Sequence, residues 1–185
     1  TTTTTTASSI VQLPKTGQTT KYSTGDDGDL EKGVAWPSPR FTSASGGCVT
    51  DNLTGLMWVQ LPDSTLRTWQ EALDYANGLN LCSQTDWRLP NINELESLLN
   101  AGEANTATWL NTQGFSGVQT DHYWWSSTNL IIAAGYVPTG AWYVNMYDGV
   151  MRAAGKTALF YMWPVRAATT PPAELWKTGQ TISYA

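Results

Sequence analysis

The stretch DWRLPNINELE, residues 86–96, decides the fold of this chain. Two large apolar residues flank an arginine, and Pro90 favours an extended conformation for the residue before it. Asn91 and Glu94 have the spacing of a capping box, in which each side chain accepts a hydrogen bond from the other residue's backbone N–H. The pattern predicts a buried extended segment that leads directly into an amphipathic helix, whose apolar face consists of Ile92, Leu95, Leu98 and Leu99.

Arg88 lies at the joint between the extended segment and the helix. Because Trp87 and Leu89 flank it, we expect the arginine to be partly buried, and a buried cation needs a carboxylate or several carbonyls as partners. Glu94 and Asp86 are the candidates. We predict a structural ion pair here rather than a ligand site.

The composition excludes several classes of function. The 185 residues carry 10 Lys and Arg against 15 Asp and Glu, a net charge of −5, without a basic cluster, so we expect no nucleic-acid partner. No apolar run approaches the roughly 20 residues of a membrane span, so we expect no membrane insertion. His122 is the only histidine, and the sequence has neither a Cys- or Ser-based nucleophile arrangement beside it nor a glycine-rich phosphate loop. We therefore predict no enzymatic activity and no catalytic residues.

The two cysteines, Cys48 and Cys82, favour a disulfide. An even count, Thr- and Pro-rich ends and few lysines are typical of extracellular chains, and two reduced, buried thiols are the alternative. If paired, the cysteines close a loop of 34 residues (82 minus 48), which stabilises the fold by roughly 3–4 kcal/mol. The chain starts at Thr1 without an initiator methionine or a signal-peptide pattern, so we expect a processed or partial chain that is extracellular or located on the cell surface.

A segment near the N-terminus recurs near the C-terminus. KTGQTTKY at residues 15–22 returns as KTGQTISY at residues 177–184, an offset of 162 residues (177 minus 15), which is the size of a whole domain. We interpret the chain as one period of a longer array, or as a subunit whose tail mimics its own start. In both cases we expect Pro171 and Pro172 to hold the tail away from its own domain, so that it contacts the next copy. The predicted assembly tail consists of Trp176, Lys177, Thr178, Gly179, Gln180, Thr181, Ile182 and Tyr184.

The repeat and the composition divide the chain into three parts. Residues 1–14 are a Thr- and Ser-rich linker or stalk, and residues 15–167 form one domain with an N-terminal extension. Residues 168–185 are a Thr- and Pro-rich linker followed by the start of the repeated segment.

An acidic loop follows the first copy of the repeat. Asp26, Asp27 and Asp29 lie between glycines, and clustered carboxylates of this kind bind calcium in many proteins. The spacing does not match an EF-hand, so a solvated turn is the other interpretation. Calcium is the only cofactor that the sequence suggests.

The pattern elsewhere in the domain predicts an α+β fold with antiparallel strands. Residues 48–50 and 56–59 form a hairpin, and a helix begins at Thr68 with Glu71 three residues later, ending near residues 77–78. Three further strands are expected at residues 122–127, 141–147 and 159–163.

Aromatic side chains on one of these strands are a candidate ligand or interface platform. Tyr143, Asn145 and Tyr147 alternate along it, and Trp124 or Trp125 from the preceding strand would extend the same surface. Such platforms stack on sugar rings or anchor protein interfaces. The alternative is that these side chains pack beneath the long loops.

Five motifs occur in a fixed order: DxxTGLMW at 51–58, TWxxAL at 68–73, DWRLPxxxEL at 86–95, YxWSS at 123–127 and VR at 165–166. Over about residues 40–167 they resemble the bacterial domain family named after the C-terminal domain of the Legionella collagen-like adhesin. That family belongs to the superfamily of C-type-lectin-like and formylglycine-generating-enzyme-like folds. The resemblance implies a C-type-lectin-like α+β fold, with two helices packed on a small twisted antiparallel sheet and long loops at one end, and an extracellular or surface location.

The resemblance also implies adhesion to sulfated polysaccharides and a role in assembly. The acidic charge is unsuited to sulfated polymers, and the Glu-Pro-Asn, Gln-Pro-Asp and Trp-Asn-Asp motifs of calcium-dependent lectins are absent, so the fold carries over but the ligand does not. Our first hypothesis is a non-enzymatic extracellular structural module whose partners are copies of itself, assembled head to tail into a filament or a tandem surface array. The second is a lectin-type adhesin domain that binds a glycan through its loop face.

Overall fold

The computed structural model describes residues 12–132 and 138–181 as an α+β domain with two antiparallel sheets. The α+β fold with antiparallel strands is confirmed, but the predicted single sheet with two helices is replaced by two sheets and, among the described residues, four helices. The elements in chain order are α1 (Asp27–Leu30), β1 (Phe41–Ala44), β2 (Cys48–Asp51), β3 (Leu56–Val59), α2 (Trp69–Asn77), α3 (Ile92–Glu96), α4 (Thr106–Leu110), β4 (Tyr123–Asn129), β5 (Gly140–Asn145), β6 (Met151–Gly155) and β7 (Val165–Ala167).

The first sheet has the strand order β1-β2-β3-β7. The predicted hairpin forms between β2 and β3, with Cys48 opposite Val59 and Asp51 opposite Leu56. β7 returns from the end of the domain to pair with β3. This sheet therefore joins the two ends of the domain.

The second sheet has the strand order β4-β5-β6, and the prediction for its last strand was wrong. Residues 159–163 are not part of it: Phe160 forms an isolated bridge with Arg67, and Tyr161 forms one with Trp124. The third strand is β6, with the sequence MRAAG, whose small residues give little β-propensity signal. Tertiary pairing with two different segments holds residues 160–161 extended instead.

The two predicted capping boxes are both present. In α2 the backbone N–H of Thr68 donates to Glu71 Oε2 at 2.9 Å, and in α3 the N–H of Asn91 donates to Glu94 Oε2 at 2.8 Å. The second helix is shorter than predicted, because α3 ends before Ser97, whose hydroxyl donates to the carbonyl of Glu94 at 2.7 Å. A serine that bonds its own helix in this way competes with the regular backbone pattern.

The stretch before α3 connects two aromatic core clusters. Trp87 is buried in the larger cluster, with Trp58, Trp124 and Trp163, and Leu89 is buried in the smaller one. Successive side chains of an extended segment point to opposite sides, which explains why neighbouring apolar residues enter different clusters. Between them, the backbone of Arg88 exchanges two hydrogen bonds with Val165, at 3.0 and 2.9 Å.

The predicted disulfide is confirmed. Cys48 on β2 is bonded to Cys82 in the turn before Trp87, with the two Cα atoms 6.5 Å apart. The bond ties the first sheet to the segment that connects the two core clusters.

Candidate functional site

Arg88 forms a bidentate ion pair with Glu94. Its Nη1 lies 2.7 Å from Oε2 and its Nη2 lies 2.6 Å from Oε1. These hydrogen bonds raise the pKa of Arg88 above its ordinary value. Glu94 is buried and also caps α3, whereas 43% of the arginine side chain is exposed. The pair fixes the start of the helix and leaves no acceptor of Glu94 directed at a ligand.

Of the two candidate partners, Glu94 pairs with Arg88 and Asp86 does not. Asp86 instead accepts two hydrogen bonds from Arg166 on β7, with Nε to Oδ1 at 2.6 Å and Nη2 to Oδ2 at 3.2 Å. The hydrogen bonds from Arg166 lower the pKa of Asp86. Because Glu94 already occupies both terminal nitrogens of Arg88, the second carboxylate pairs with the neighbouring strand.

A second ion pair, between Arg40 and Asp51, was missed at the sequence level. Both side chains are buried, with Nη2 to Oδ2 at 3.3 Å, and the guanidinium stacks 4.1 Å from the Trp36 ring centroid. Burial lowers the pKa of Arg40. Arg40 precedes β1 and Asp51 ends β2, so the two residues meet only because these strands pair. The sequence signal for a buried arginine here was its place in the aromatic stretch WPSPRF.

The predicted aromatic platform does not form. Trp124 and Trp125 are fully buried, and Tyr143 is 7% exposed with its ring 4.8 Å from that of Phe160. These residues pack into the two core clusters, with Trp124 in the larger one and Trp125 and Tyr143 in the smaller one. Of the predicted set, Asn145 is half-buried and Tyr147, just beyond the strand, is exposed.

The acidic loop closes on itself, so the calcium interpretation finds no support. Asp26 caps α1 and accepts hydrogen bonds from the backbone N–H groups of Tyr22, Ser23 and Asp29. The first two of these lower the pKa of Asp26 most. Within the described residues, no group of three or more His, Cys, Asp or Glu side chains has an arrangement that would hold a metal ion.

Asp29 and Asp27 also have partners in the protein. The Nζ of Lys21 lies 2.8 Å from Asp29, and the hydroxyl of Thr16 donates to Asp27. The acidic loop therefore binds the first copy of the repeated segment.

Four hydrogen bonds to backbone groups hold the first copy of the repeated segment and Leu13 just before it. The N–H of Lys15 donates to the carbonyl of Val34 at 3.0 Å, and that of Val34 donates to the carbonyl of Leu13 at 2.7 Å. The carbonyl of Lys15 accepts from Trp36 Nε1 at 2.9 Å, and the carbonyl of Thr16 accepts from the N–H of Ala101 at 2.9 Å. The side chain of Lys15 completes the set with an ion pair to Glu31 at 2.9 Å.

The second copy has the same local geometry. In both copies the threonine hydroxyl accepts a hydrogen bond from the glutamine N–H two residues later, at 3.2 Å for Thr16 and 3.4 Å for Thr178. Gly17 and Gly179 both have positive φ, 92° and 77°. The matching backbone conformation supports the interpretation of the two segments as copies of one element.

The second copy begins on its own domain, contrary to the prediction that the prolines hold it away. Ala173 is fully buried and its N–H donates to the carbonyl of Leu53 at 3.1 Å. Asn93 Nδ2 donates to the carbonyl of Trp176 at 2.5 Å, and the Gln180 side chain accepts from the N–H of Asn129 at 2.9 Å. Ile182 and Tyr184 of the predicted tail lie outside the described residues.

A cavity of about 570 Å³ lies beside the first copy. Its lining includes Pro14 and Lys15, the apolar side chains of Leu53 and Leu99, and Tyr147. Its volume falls in the range of ligand pockets.

Comparisons with known proteins support the sequence resemblance. A family model described as the Lcl C-terminal domain matches residues 47–166, which is 120 of the 185 residues. A search among curated proteins found no match. None of the helices in the described ranges is long and apolar enough to cross a lipid bilayer. The match spans the region from β2 to β7 and leaves both copies of the repeated segment outside it.

Proposed function

Because the chain belongs to the Lcl C-terminal domain family, we propose that it is a non-enzymatic unit of an extracellular array of tandem copies. The family match indicates a surface-associated, adhesin-related domain, and the disulfide fits a secreted or surface location. The repeated segment supplies the reason for an array, because it places the start of a second unit after the first.

The observation that carries the proposal is the difference in surroundings between the two copies. The first copy has the partners described above, whereas Lys177, Thr178 and Gly179 are exposed. A Cβ on Gly17 would lie 2.3 Å from Asn100 Oδ1 and 2.6 Å from Trp36, so packing requires glycine there. A Cβ on Gly179 would meet no described atom within 4 Å. Gly179 has a positive φ, as Gly17 does, but the close packing that Gly17 makes has no equivalent around the second copy among the described residues.

A following domain of the same kind would supply the contacts that the second copy lacks here. Residues 15–18 are held by Val34, Trp36 and Ala101, and the counterparts of these residues would follow 162 residues further along an array. Nearest-neighbour contacts of this type stabilise repeat proteins. The proposed partner is accordingly another copy of the chain.

Controlled proteolysis of the protein on its source cells tests the proposal. The exposed linker at residues 168–170 is the expected cleavage site between units, and cleavage there requires release of the hydrogen bonds that Ala168 and Thr169 donate to Gly55. An antibody against the folded domain should detect a ladder of fragments that differ by one 162-residue period. A single species of one unit, unchanged by digestion and released freely from the cells, would contradict the array.

The second candidate function is glycan binding, and the cavity beside Pro14 is the observation that favours it. The exposed Tyr147 lines the cavity together with polar and apolar groups, which is the composition of many sugar sites. Titration with neutral and sulfated oligosaccharides, monitored by calorimetry, tests it. Binding that Tyr147→Ala abolishes but Leu61→Ala retains would support a lectin; the exposed Leu61 does not line the cavity.

A further inference from the structure

The segment around Trp176 uses only one of its two backbone edges. Glu174 donates its N–H to the carbonyl of Gln12 at 2.8 Å, and the carbonyl of Trp176 accepts from Asn93. In an extended segment the residues between these two, and after them, direct their backbone groups to the opposite edge. There, the carbonyl of Leu175 and the N–H of Lys177 make no hydrogen bond with any described residue.

These two unoccupied groups are the counterparts of groups that are occupied in the first copy. Leu13 and Lys15 lie 162 residues before Leu175 and Lys177, and it is the carbonyl of Leu13 and the N–H of Lys15 that bond to Val34. The edge that the second copy leaves open is therefore the edge by which the first copy is held. One segment can bond two domains at once, because each uses a different edge.

Leu13 and Leu175 differ in the opposite sense, because here it is the second copy whose side chain is covered. Leu175 is partly buried and packs against the larger core cluster of its own domain. Its counterpart Leu13 is 40% exposed. A domain preceding this one would cover Leu13 as the present domain covers Leu175, so each copy of the segment is incomplete on the side where a neighbour would lie.

Positions 14 and 176 correspond in the two copies, but they hold different residues, and position 14 lines the cavity. Pro14 lines the cavity, and its place in the second copy is taken by Trp176, which is 64% exposed. A tryptophan at this position of a following domain has an indole where the present domain has a proline. Large aromatic anchors in pockets contribute most of the binding energy at protein interfaces.

We propose that residues 175–179 form a joint shared by two consecutive copies, and that Trp176 fills the cavity of the following copy. The joint rests on the proposed array. In it, the preceding domain holds the segment through Asn93 and the partly buried Leu175 side chain. The following domain holds it through its own Val34, Trp36 and Ala101 counterparts, and the counterparts of Glu31 and Asp27 bind Lys177 and Thr178 as they bind Lys15 and Thr16 here.

The test extends the full chain by one copy in register. Ala185 corresponds to residue 23 (185 minus 162), so residues 24–173 are appended directly after Ala185. Amide hydrogen exchange of Lys177 is compared in the original and the extended chains, and Trp176 is followed by ¹⁹F NMR after fluorotryptophan labelling. The joint predicts at least tenfold slower exchange and a buried indole in the extended chain. Equal exchange rates with an exposed indole would overturn it.

Three variants of the extended chain separate the backbone edge from the indole. Trp176→Pro reproduces position 14 and should keep the slow exchange of Lys177 while leaving the cavity open. Trp176→Ala should leave the exchange rate of the Lys177 amide within about threefold of that in the unmodified extended chain. It should also lower the melting temperature of the appended copy. Leu61→Ala, at a residue of similar exposure, should change neither. If Trp176→Ala also leaves the appended copy unchanged, the indole does not fill the cavity.

The outcome is independent of the proteolysis experiment on cells. Docking in the extended chain together with a single-unit product on cells would refute the array and retain the joint as a property of the segment. A ladder on cells together with unprotected Lys177 would retain the array and refute the joint.

Discussion

Glu174 donates its backbone N–H to the backbone carbonyl of Gln12 at 2.8 Å, and the two residues occupy the same position of successive repeats. The chain thus leaves the domain beside the point at which it enters. A following copy attached here must be rotated about the joint rather than displaced along a straight line. Within the proposed array, this favours a compact tandem arrangement over a straight head-to-tail filament.

The disulfide is expected to provide a substantial part of the stability. Replacing both cysteines by alanine should lower the free energy of unfolding by about 3–4 kcal/mol, because the bond closes a loop of 34 residues. Urea denaturation of the double variant and of the parent measures the difference. Free-thiol labelling of the denatured, unreduced parent should detect no thiol, and two labelled thiols would contradict the bond.

Arg88→Met should destabilise the domain by about 2 kcal/mol. The change strands the buried carboxylate of Glu94, and hydrogen bonds to charged groups contribute roughly 1.5–3 kcal/mol. The cost stays below that of a fully buried pair because the arginine is 43% exposed.

Thermal and urea unfolding of Arg88→Met are compared with those of Arg166→Met, the matched control. Arg166 pairs with Asp86, which is largely exposed, so its removal should shift the midpoint much less. Similar shifts for both variants would show that Glu94 does not depend on Arg88.

Arg40→Met should be more damaging than Arg88→Met, by roughly 3–5 kcal/mol in total, because both members of the Arg40–Asp51 pair are buried. Asp51 keeps hydrogen bonds from Leu53 and Thr54, but its charge loses the only cation beside it among the described residues. Denaturant midpoints of the two methionine variants test the order. A smaller effect at position 40 would place the main electrostatic support of the fold elsewhere.

The contrast between these two ion pairs shows what the sequence could predict. Arg88 and Glu94, like the capping boxes, are six or fewer residues apart, so their geometry follows from local chain direction. Arg40 and Asp51 meet across a hairpin, and Arg166 reaches Asp86 over 80 residues. Such pairings depend on tertiary packing that no local pattern encodes.

The predicted platform and the predicted last strand failed for the same reason. Alternation along β5 correctly separated Tyr143 from Val144, but both faces of the strand are covered, so alternation did not indicate exposure. Phe160 is extended because it pairs with Arg67, far away in the sequence, and not because it belongs to a sheet. The repeated segment was identifiable because identity at a fixed offset requires no knowledge of packing.

Acid is expected to loosen the loop around α1 before the core unfolds. Hydrogen bonds from Tyr22 and Ser23 lower the pKa of Asp26, and Lys21 lowers that of Asp29. A carboxyl whose pKa is lower in the folded state stabilises the fold above its unfolded pKa, and this contribution is lost as the pH falls through the folded value, below roughly pH 4.

Amide exchange measured by NMR between pH 2.5 and 5 tests the acid response. The amide of Asp29, bonded to Asp26, should lose protection while that of Val49 in β2 retains it. In the Asp26→Asn variant, the backbone amide of Asp29 should be weakly protected at every pH, because the asparagine side chain carries no negative charge. Simultaneous loss at both sites in the parent would instead indicate that the loop and the core unfold as one unit.

In the isolated chain, the tail should contribute most of its stability through residues up to Leu175, and the hydrogen bonds of Trp176 with Asn93 and of Gln180 with Asn129 should contribute less. Ala173 is fully buried and donates to Leu53, and Leu175 is partly buried, whereas residues 176–179 are exposed. A chain that ends after Leu175 should therefore melt within a few degrees of the parent and remain folded. A chain that ends after Thr170 loses two apolar contacts and should be destabilised by about 2 kcal/mol, since burying an aliphatic side chain contributes roughly 1.5–3 kcal/mol. If both truncations melt alike, the tail is not anchored on its own domain, and the joint would then have no fixed side from which to reach a neighbour.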